Sequence, residues 1–123
     1  MILADTSVWI DHMRGRRSRF SAALENLLVL VHPFVIGELA CGNLRDRNEV
    51  LALLHDLPLA VTATDAEVLA FIERRKLMGR GLGYIDAHLL ASAALSGTAR
   101  LWTHDRRLAA VAVQLGLAHD ESS

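Results

Sequence analysis

Cysteine is nearly absent from this chain. Cys41 is the only one, which excludes an internal disulfide and a cysteine-rich metal site. Lysine is as scarce: twelve of the thirteen basic residues are arginine, and Lys76 is the exception. Six histidines are present, but no two stand at the His-x-x-x-His spacing of a helical zinc site. Aromatic residues make up 5%, too few for the stacked-base grip of a general single-strand binder. The two prolines argue against a disordered chain. The formal net charge is −1, so no global attraction to a polyanion is expected. No apolar run reaches the length of a membrane span. The first residues lack a basic leader, and Asp5 interrupts the only early apolar run. A secretory signal is therefore not expected, and a cytoplasmic location is.

What the chain does have is apolar surface and clustered arginine. Hydrophobic residues make up 52% of 123, enough for one domain, expected to span residues 1–123, with a substantial core. The surplus is available to a partner or a second copy. The arginines group at Arg14, Arg16, Arg17 and Arg19, at Arg74 and Arg75, around Arg80, and at Arg106 and Arg107. Their planar fork matches phosphate; a solvated charged face is the plain alternative.

Ile2-Leu3-Ala4 reads as a buried central strand that ends at Asp5, with a helix from Ser7 to Met13. Ser18 to Leu28 reads as a second helix, and Val29 to His32 as a strand. Pro33 opens a helix from Phe34 to Cys41, which Gly42 and Asn43 stop. Asp46 is expected to cap a helix that runs through Leu54, and Pro58 to Val61 is a candidate strand. Thr64 and Glu67 form a capping box for a helix to Lys76. A basic loop with Gly79, Gly81 and Gly83 precedes a buried helix from Ile85 to Leu95. Ala99 to Thr103 is the last strand, Asp105 to Leu115 the last helix, and His119 to Ser123 a frayed tail. Strands alternating with helices predict an α/β fold, a parallel sheet with helices on its faces.

Four acids resist the usual surface explanation. Asp5 follows the buried strand, and Asp105 follows the strand ending at Thr103. Glu38 lies within the apolar segment Val35-Ile36-Gly37-Glu38-Leu39-Ala40-Cys41, and Asp86 within Tyr84-Ile85-Asp86-Ala87-His88-Leu89-Leu90. Each has a plain structural reading, as a helix cap for three of them and a polar helix face for Glu38. The set is more informative than any member. Ligand sites in open α/β sheets lie at the carboxyl ends of the strands. If the strand order brings these ends together, four carboxylates share one pocket, repel one another, and call for a hard divalent cation such as Mg²⁺ or Mn²⁺. Such a cation beside arginines suits phosphodiester hydrolysis. Thr6, Ser7 and Thr103 are candidates to hold either metal-bound waters or the acids by hydrogen bonds. His88 and His104 adjoin the acids and are read as ordinary core or surface histidines.

Asp5-Thr6-Ser7, the Gly-Glu-Leu around Glu38, Tyr-Ile-Asp-Ala-His-Leu-Leu-Ala around Asp86, and Thr103-His104-Asp105 together resemble the PIN-domain ribonucleases. The likeness is nearest to the VapC-type toxins of type II toxin–antitoxin (VapBC) systems, and it runs in order from Met1 to about Leu117. It implies a three-layer α/β/α sandwich with a central parallel sheet. It implies Mg²⁺- or Mn²⁺-dependent endonucleolytic cleavage of RNA at a metal site built from Asp5, Glu38, Asp86 and Asp105. It also implies a homodimer and a small cognate VapB-like antitoxin that covers the acidic pocket. Arg14, Arg16, Arg17, Arg80, Arg106 and Arg107 are then candidate contacts to the RNA backbone, although Arg106 and Arg107 serve an antitoxin equally well. The rival reading is a non-catalytic binding module in which the acids are only caps. A haloacid-dehalogenase-like phosphatase needs a second Asp where Ser7 stands, and a receiver domain needs a lysine near the last strand that is absent.

Overall fold

The computed structural model describes residues 1–15 and 19–120. Among the described residues it contains β1 (Ile2–Ala4), α1 (Thr6–Met13), α2 (Arg19–Glu25), β2 (Val29–Leu30), α3 (Pro33–Cys41), α4 (Arg47–Asp56), α5 (Asp65–Arg75), α6 (Tyr84–Ser96), β3 (Arg100–Trp102) and α7 (Arg106–Gln114). The sheet is parallel, in the order β2-β1-β3. β1 comes first in sequence and sits in the middle, so every connection back to the sheet must cross over through helix, as parallel pairing requires. The result is a three-layer α/β/α sandwich. Single parallel bridges extend the sheet at both edges, Leu59 beside Val31 and Ala118 beside Leu101.

β1 has no polar side chain and no exposed face: Leu3 and Ala4 are wholly buried. A strand covered on both faces reads as a continuous apolar run rather than an alternation. Trp9, Phe20 and Trp102 pack edge to face beside it, with ring centroids 4.8 Å apart for Trp9–Phe20 and 5.7 Å for Phe20–Trp102. Such contacts lock α1 and α2 against β3. α6 is buried from Ala87 through Ala93, which explains its Ala- and Leu-rich sequence: it packs against both α5 and β3. α5 is amphipathic. It opens on the Thr64–Glu67 capping box and closes on Lys76 at φ 54°, with Arg74 and Arg75 in its last turn, where the helix dipole favours cations.

Four local expectations are corrected. α2 ends at Glu25, because Leu27 turns into the left-handed region at φ 56° and starts the connection to β2. His32 leaves the sheet to cap α3, its Nδ1 accepting the Phe34 N–H at 3.0 Å. Asp46 occupies the cap position of α4 at φ 54° but its side chain makes no cap bond, because that backbone turns the carboxylate away. His119 is not frayed: its N–H donates to Leu101 O at 2.8 Å, and its ring lies 4.8 Å from Trp102.

Candidate active site

Asp5 is fixed by the sheet itself. Ala4 pairs with Trp102, and the Asp5 N–H donates to Trp102 O at 3.0 Å, so its side chain emerges between the carboxyl ends of β1 and β3. The carboxylate is 6% exposed and both oxygens are held. Oδ1 accepts the Ser7 hydroxyl at 2.5 Å and the Val8 N–H at 3.3 Å, and Oδ2 accepts the Thr103 hydroxyl. Thr103 Oγ1 in turn accepts the Asp105 N–H at 3.0 Å, and Ser7 Oγ the His104 N–H at 2.9 Å. One network of hydroxyls thus joins the start of α1 to the loop before α7. Asp5 caps α1, and the cap bond and the site orientation are the same geometry.

Asp105 caps α7 by accepting the Leu108 N–H at 3.0 Å. Glu38 is exposed on α3 and accepts the Thr6 hydroxyl at 2.9 Å, which ties α1 to α3. Asp86 is half-buried in the first turn of α6 and accepts the Gly83 N–H at 3.0 Å. Burial raises the Asp86 pKa above the usual carboxylate range. The Gly83 hydrogen bond opposes that rise, and the charges of Asp105, Asp5 and Glu38 add to it. Four carboxylates, spread over a hundred residues of sequence, therefore share one field. Among the described residues, no three Asp, Glu, His or Cys side chains are arranged as a ready-made metal cage. The donor set is all oxygen, and like-charge crowding of this kind is relieved by a cation. It fits a hard ion that keeps part of its water shell.

Arg14, Arg80, Arg106 and Arg107 are all exposed; Arg16 and Arg17 lie outside the described residues. Among the described residues no arginine pairs with a carboxylate. A groove of about 640 Å³ begins at Glu38 and is lined by Ile10, Met13, Leu39, Leu44 and Val50, with Arg14 and Arg45 at its sides.

Two polar groupings were not foreseen from the sequence. His104 Nδ1 lies 2.6 Å from Asp11 Oδ2. The only hint is that Ser7 and Asp11 stand four apart on α1, so both face the same loop. Asp65 accepts the Tyr84 hydroxyl at 2.6 Å and bonds His88 Nε2 at 3.1 Å. These bonds, Tyr84 first, lower the Asp65 pKa, and the same contact raises that of Tyr84. His88 and His32 are both buried, with ring centroids 6.1 Å apart. Burial, then the charge His88 would carry, lowers the His32 pKa to about 4. Asp65 gave no local signal beyond that of an ordinary first-turn acid.

Four carboxylates coupled electrostatically at Asp86, two of them just beyond the carboxyl ends of β1 and β3 in a β2-β1-β3 parallel sheet, mark out a class, and the comparisons agree. Residues 2–114 match the PIN domain, and the chain belongs to the PIN-domain family. It is 49% identical over 118 residues to the Ribonuclease VapC32 of Mycobacterium tuberculosis strain CDC 1551 / Oshkosh, covering 96% of this chain and 95% of that protein. The protein of the same name from strain ATCC 25618 / H37Rv matches equally. The resemblance to VapC-type PIN proteins therefore extends over nearly the whole chain.

Proposed function

We propose that this protein is a divalent-metal-dependent endoribonuclease, the toxin of a toxin–antitoxin pair. The observation that carries the reading is the electrostatic state of Asp86, raised above the usual carboxylate range by burial first and then by the charges of Asp105, Asp5 and Glu38, against the Gly83 hydrogen bond. Kinship with proteins named Ribonuclease VapC32 supplies the substrate class.

Asp5, Glu38, Asp86 and Asp105 would hold Mg²⁺ or Mn²⁺. When bound, such a cation supplies Lewis-acid polarisation of water and neutralises charge at the phosphodiester. The chain's own groups do the positioning. Ser7 and Thr103 hold both oxygens of Asp5, and Thr6 holds Glu38, so three of the hydroxyls near the hollow fix carboxylate orientation before substrate arrives. Arg14, Arg80, Arg106 and Arg107 have no carboxylate partner among the described residues and are available to phosphate, and with Arg16 and Arg17 they form the proposed RNA-contacting set.

The groove beside Glu38 joins apolar lining to arginines, which supports docking of a VapB-like antitoxin over the hollow. Leu59, Leu69 and Val61 are 63%, 57% and 50% exposed, which supports a homodimer. Among the described residues no helix is long and apolar enough to cross a membrane; the toxin is proposed to be cytoplasmic and to consist of one domain over residues 1–123. Read as caps alone, Asp5, Asp86 and Asp105 would make the chain a non-catalytic module; that reading leaves the crowding of like charges at Asp86 without a purpose. The test is RNA cleavage in Mg²⁺ or Mn²⁺ by the wild type and by Asp5→Asn and Asp86→Asn, each checked for fold by circular dichroism. Cleavage confined to the wild type supports the reading. Wild-type-like cleavage by both folded variants refutes it.

A further inference from the structure

Residues 77–83 link α5 to α6, and Gly79 and Gly81 within them adopt positive φ, +73° and +80°. Gly81 has a second property. A methyl group built on it would lie 2.6 Å from Arg107 Nη1, 2.8 Å from Cδ and 3.2 Å from Cζ. Among the described residues no other glycine has a side chain packed so closely over it. Arg107 therefore lies across bare backbone, in space that any side chain at position 81 would claim. Two residues on, Gly83 gives its N–H to Asp86, and Arg107 itself stands two residues beyond Asp105. The glycine loop thus touches the elements that carry two of the four acids, with the Arg107 side chain packed against Gly81.

Independent observations point to an anion as the ligand of that guanidinium. Arg107 is exposed, and among the described residues it has no carboxylate partner. It also sits with Arg106 in the first turn of α7, which contains no acid. A helix disfavours cations at that end, so the pair is placed against local preference. A polyanion approaching four carboxylates needs counter-charge nearby, and the exposed guanidinium packed on the Gly81 backbone is a planar donor suited to phosphate.

We propose that Gly81 is a positioning residue whose missing side chain seats Arg107, and that Arg107 so held grips a backbone phosphate of the RNA beside the bond to be cut. The proposal rests on the ribonuclease reading, which counts Arg107 among the RNA-contacting arginines, and adds the residue that seats it and the phosphate it holds. The probe is a fluorescein-labelled single-stranded RNA oligonucleotide, followed by anisotropy in an Asp86→Asn background and by steady-state cleavage in the active protein. Arg107→Ala is expected to raise Kd about tenfold at low salt and to lower the salt slope by about one phosphate contact, with KM rising more than kcat falls. Gly81→Asn adds a side chain of a type that tolerates positive φ, and should shift Kd in the same direction. The combined variant should bind no more weakly than Arg107→Ala alone, because an empty seat and an absent occupant are one defect. Arg107→Lys should keep the salt slope and lose part of the affinity, a readout independent of how well Gly81→Asn folds.

Unchanged binding and slope in Arg107→Ala would overturn the proposal, as would additive losses in the combined variant. So would an Arg107→Ala effect confined to an acidic peptide offered in place of RNA. If the wild type cleaves RNA and Arg107→Ala is indistinguishable from it, the seat is wrong and the ribonuclease reading stands. RNA binding that depends on Arg107 and Gly81 without any cleavage supports the seat and counts against that reading.

Discussion

The acids around Asp86 and the cluster around His88 are both polar groupings, and α6 contributes to each, through Asp86 and His88, yet they are assembled on opposite principles. Around Asp86 burial raises the cost of the charge, and the like charges of Asp105, Asp5 and Glu38 add to it. Around His88 the groups are complementary: Asp65 takes a hydroxyl from Tyr84 and a ring nitrogen from His88, and the rings of Phe34 and Tyr84 stand 4.5 Å and 4.7 Å from the imidazole. The second arrangement stabilises the fold as it stands. The first costs stability until something of opposite charge arrives. Polar groups gathered at the expense of the resting protein are those most readily explained by a ligand.

Exchanging the two clusters' mutations should therefore exchange their effects. The largest is expected at the hollow: Asp5→Asn or Asp86→Asn should lower the RNA cleavage rate on the order of a thousandfold or more, measured in single turnover. Asp86→Asn should at the same time leave the metal-free melting temperature at or above that of the wild type. A carboxyl whose folded pKa is raised weakens the fold at neutral pH and regains that stability as pH falls through the folded pKa. His88→Ala should do the reverse. It removes a buried ring and leaves a cavity, at a cost of about 3 kcal/mol in urea unfolding, while the molecules that remain folded keep cleavage within about threefold of the wild type.

A smaller effect separates the clusters by pH. His32 is neutral in the fold down to about 4 and titrates near 6.5 when unfolded. The unfolded chain therefore binds the extra proton first, and stability is lost as pH falls from 6.5 toward 4. About 2 kcal/mol is expected after allowance for solvent screening. Denaturant titrations across that window should show the slope in the wild type and a much weaker one in His32→Asn, which keeps a capping side chain. The smallest effect should come from the hydroxyls. Thr103→Ala leaves one Asp5 oxygen without its partner, at a cost of about 1 kcal/mol in stability and roughly tenfold in cleavage.

Which parts of this could be read from the sequence follows from how local each feature is. β1 was legible because a strand buried on both faces must be a short uncharged run, and α5 because its capping box is written within four residues. The four acids stand out in the sequence as misfits in apolar contexts, Asp5 and Asp105 also by their strand ends; in the fold three of them make cap bonds and Glu38 lies on an exposed helix face, and their joint action on a cation is the proposal. Asp46 was misread because composition names a cap residue while backbone conformation decides whether its oxygen reaches the helix. The pairing of His119 with Leu101, the bond from Asp65 to His88 and the seating of Arg107 on Gly81 were illegible for another reason. Each joins residues from 18 to 26 positions apart, and no periodicity within either segment reports the meeting.

The central claim is that Asp5, Glu38, Asp86 and Asp105 act as one cation site. Isothermal titration of Mn²⁺ into the wild type and into the four single amide variants, Asp5→Asn, Glu38→Gln, Asp86→Asn and Asp105→Asn, tests it most directly. Saturable binding at or below millimolar concentration in the wild type, weakened by every one of the four substitutions, is the predicted result. No binding at millimolar Mn²⁺ by the wild type, or binding that the substitutions leave intact, would contradict it.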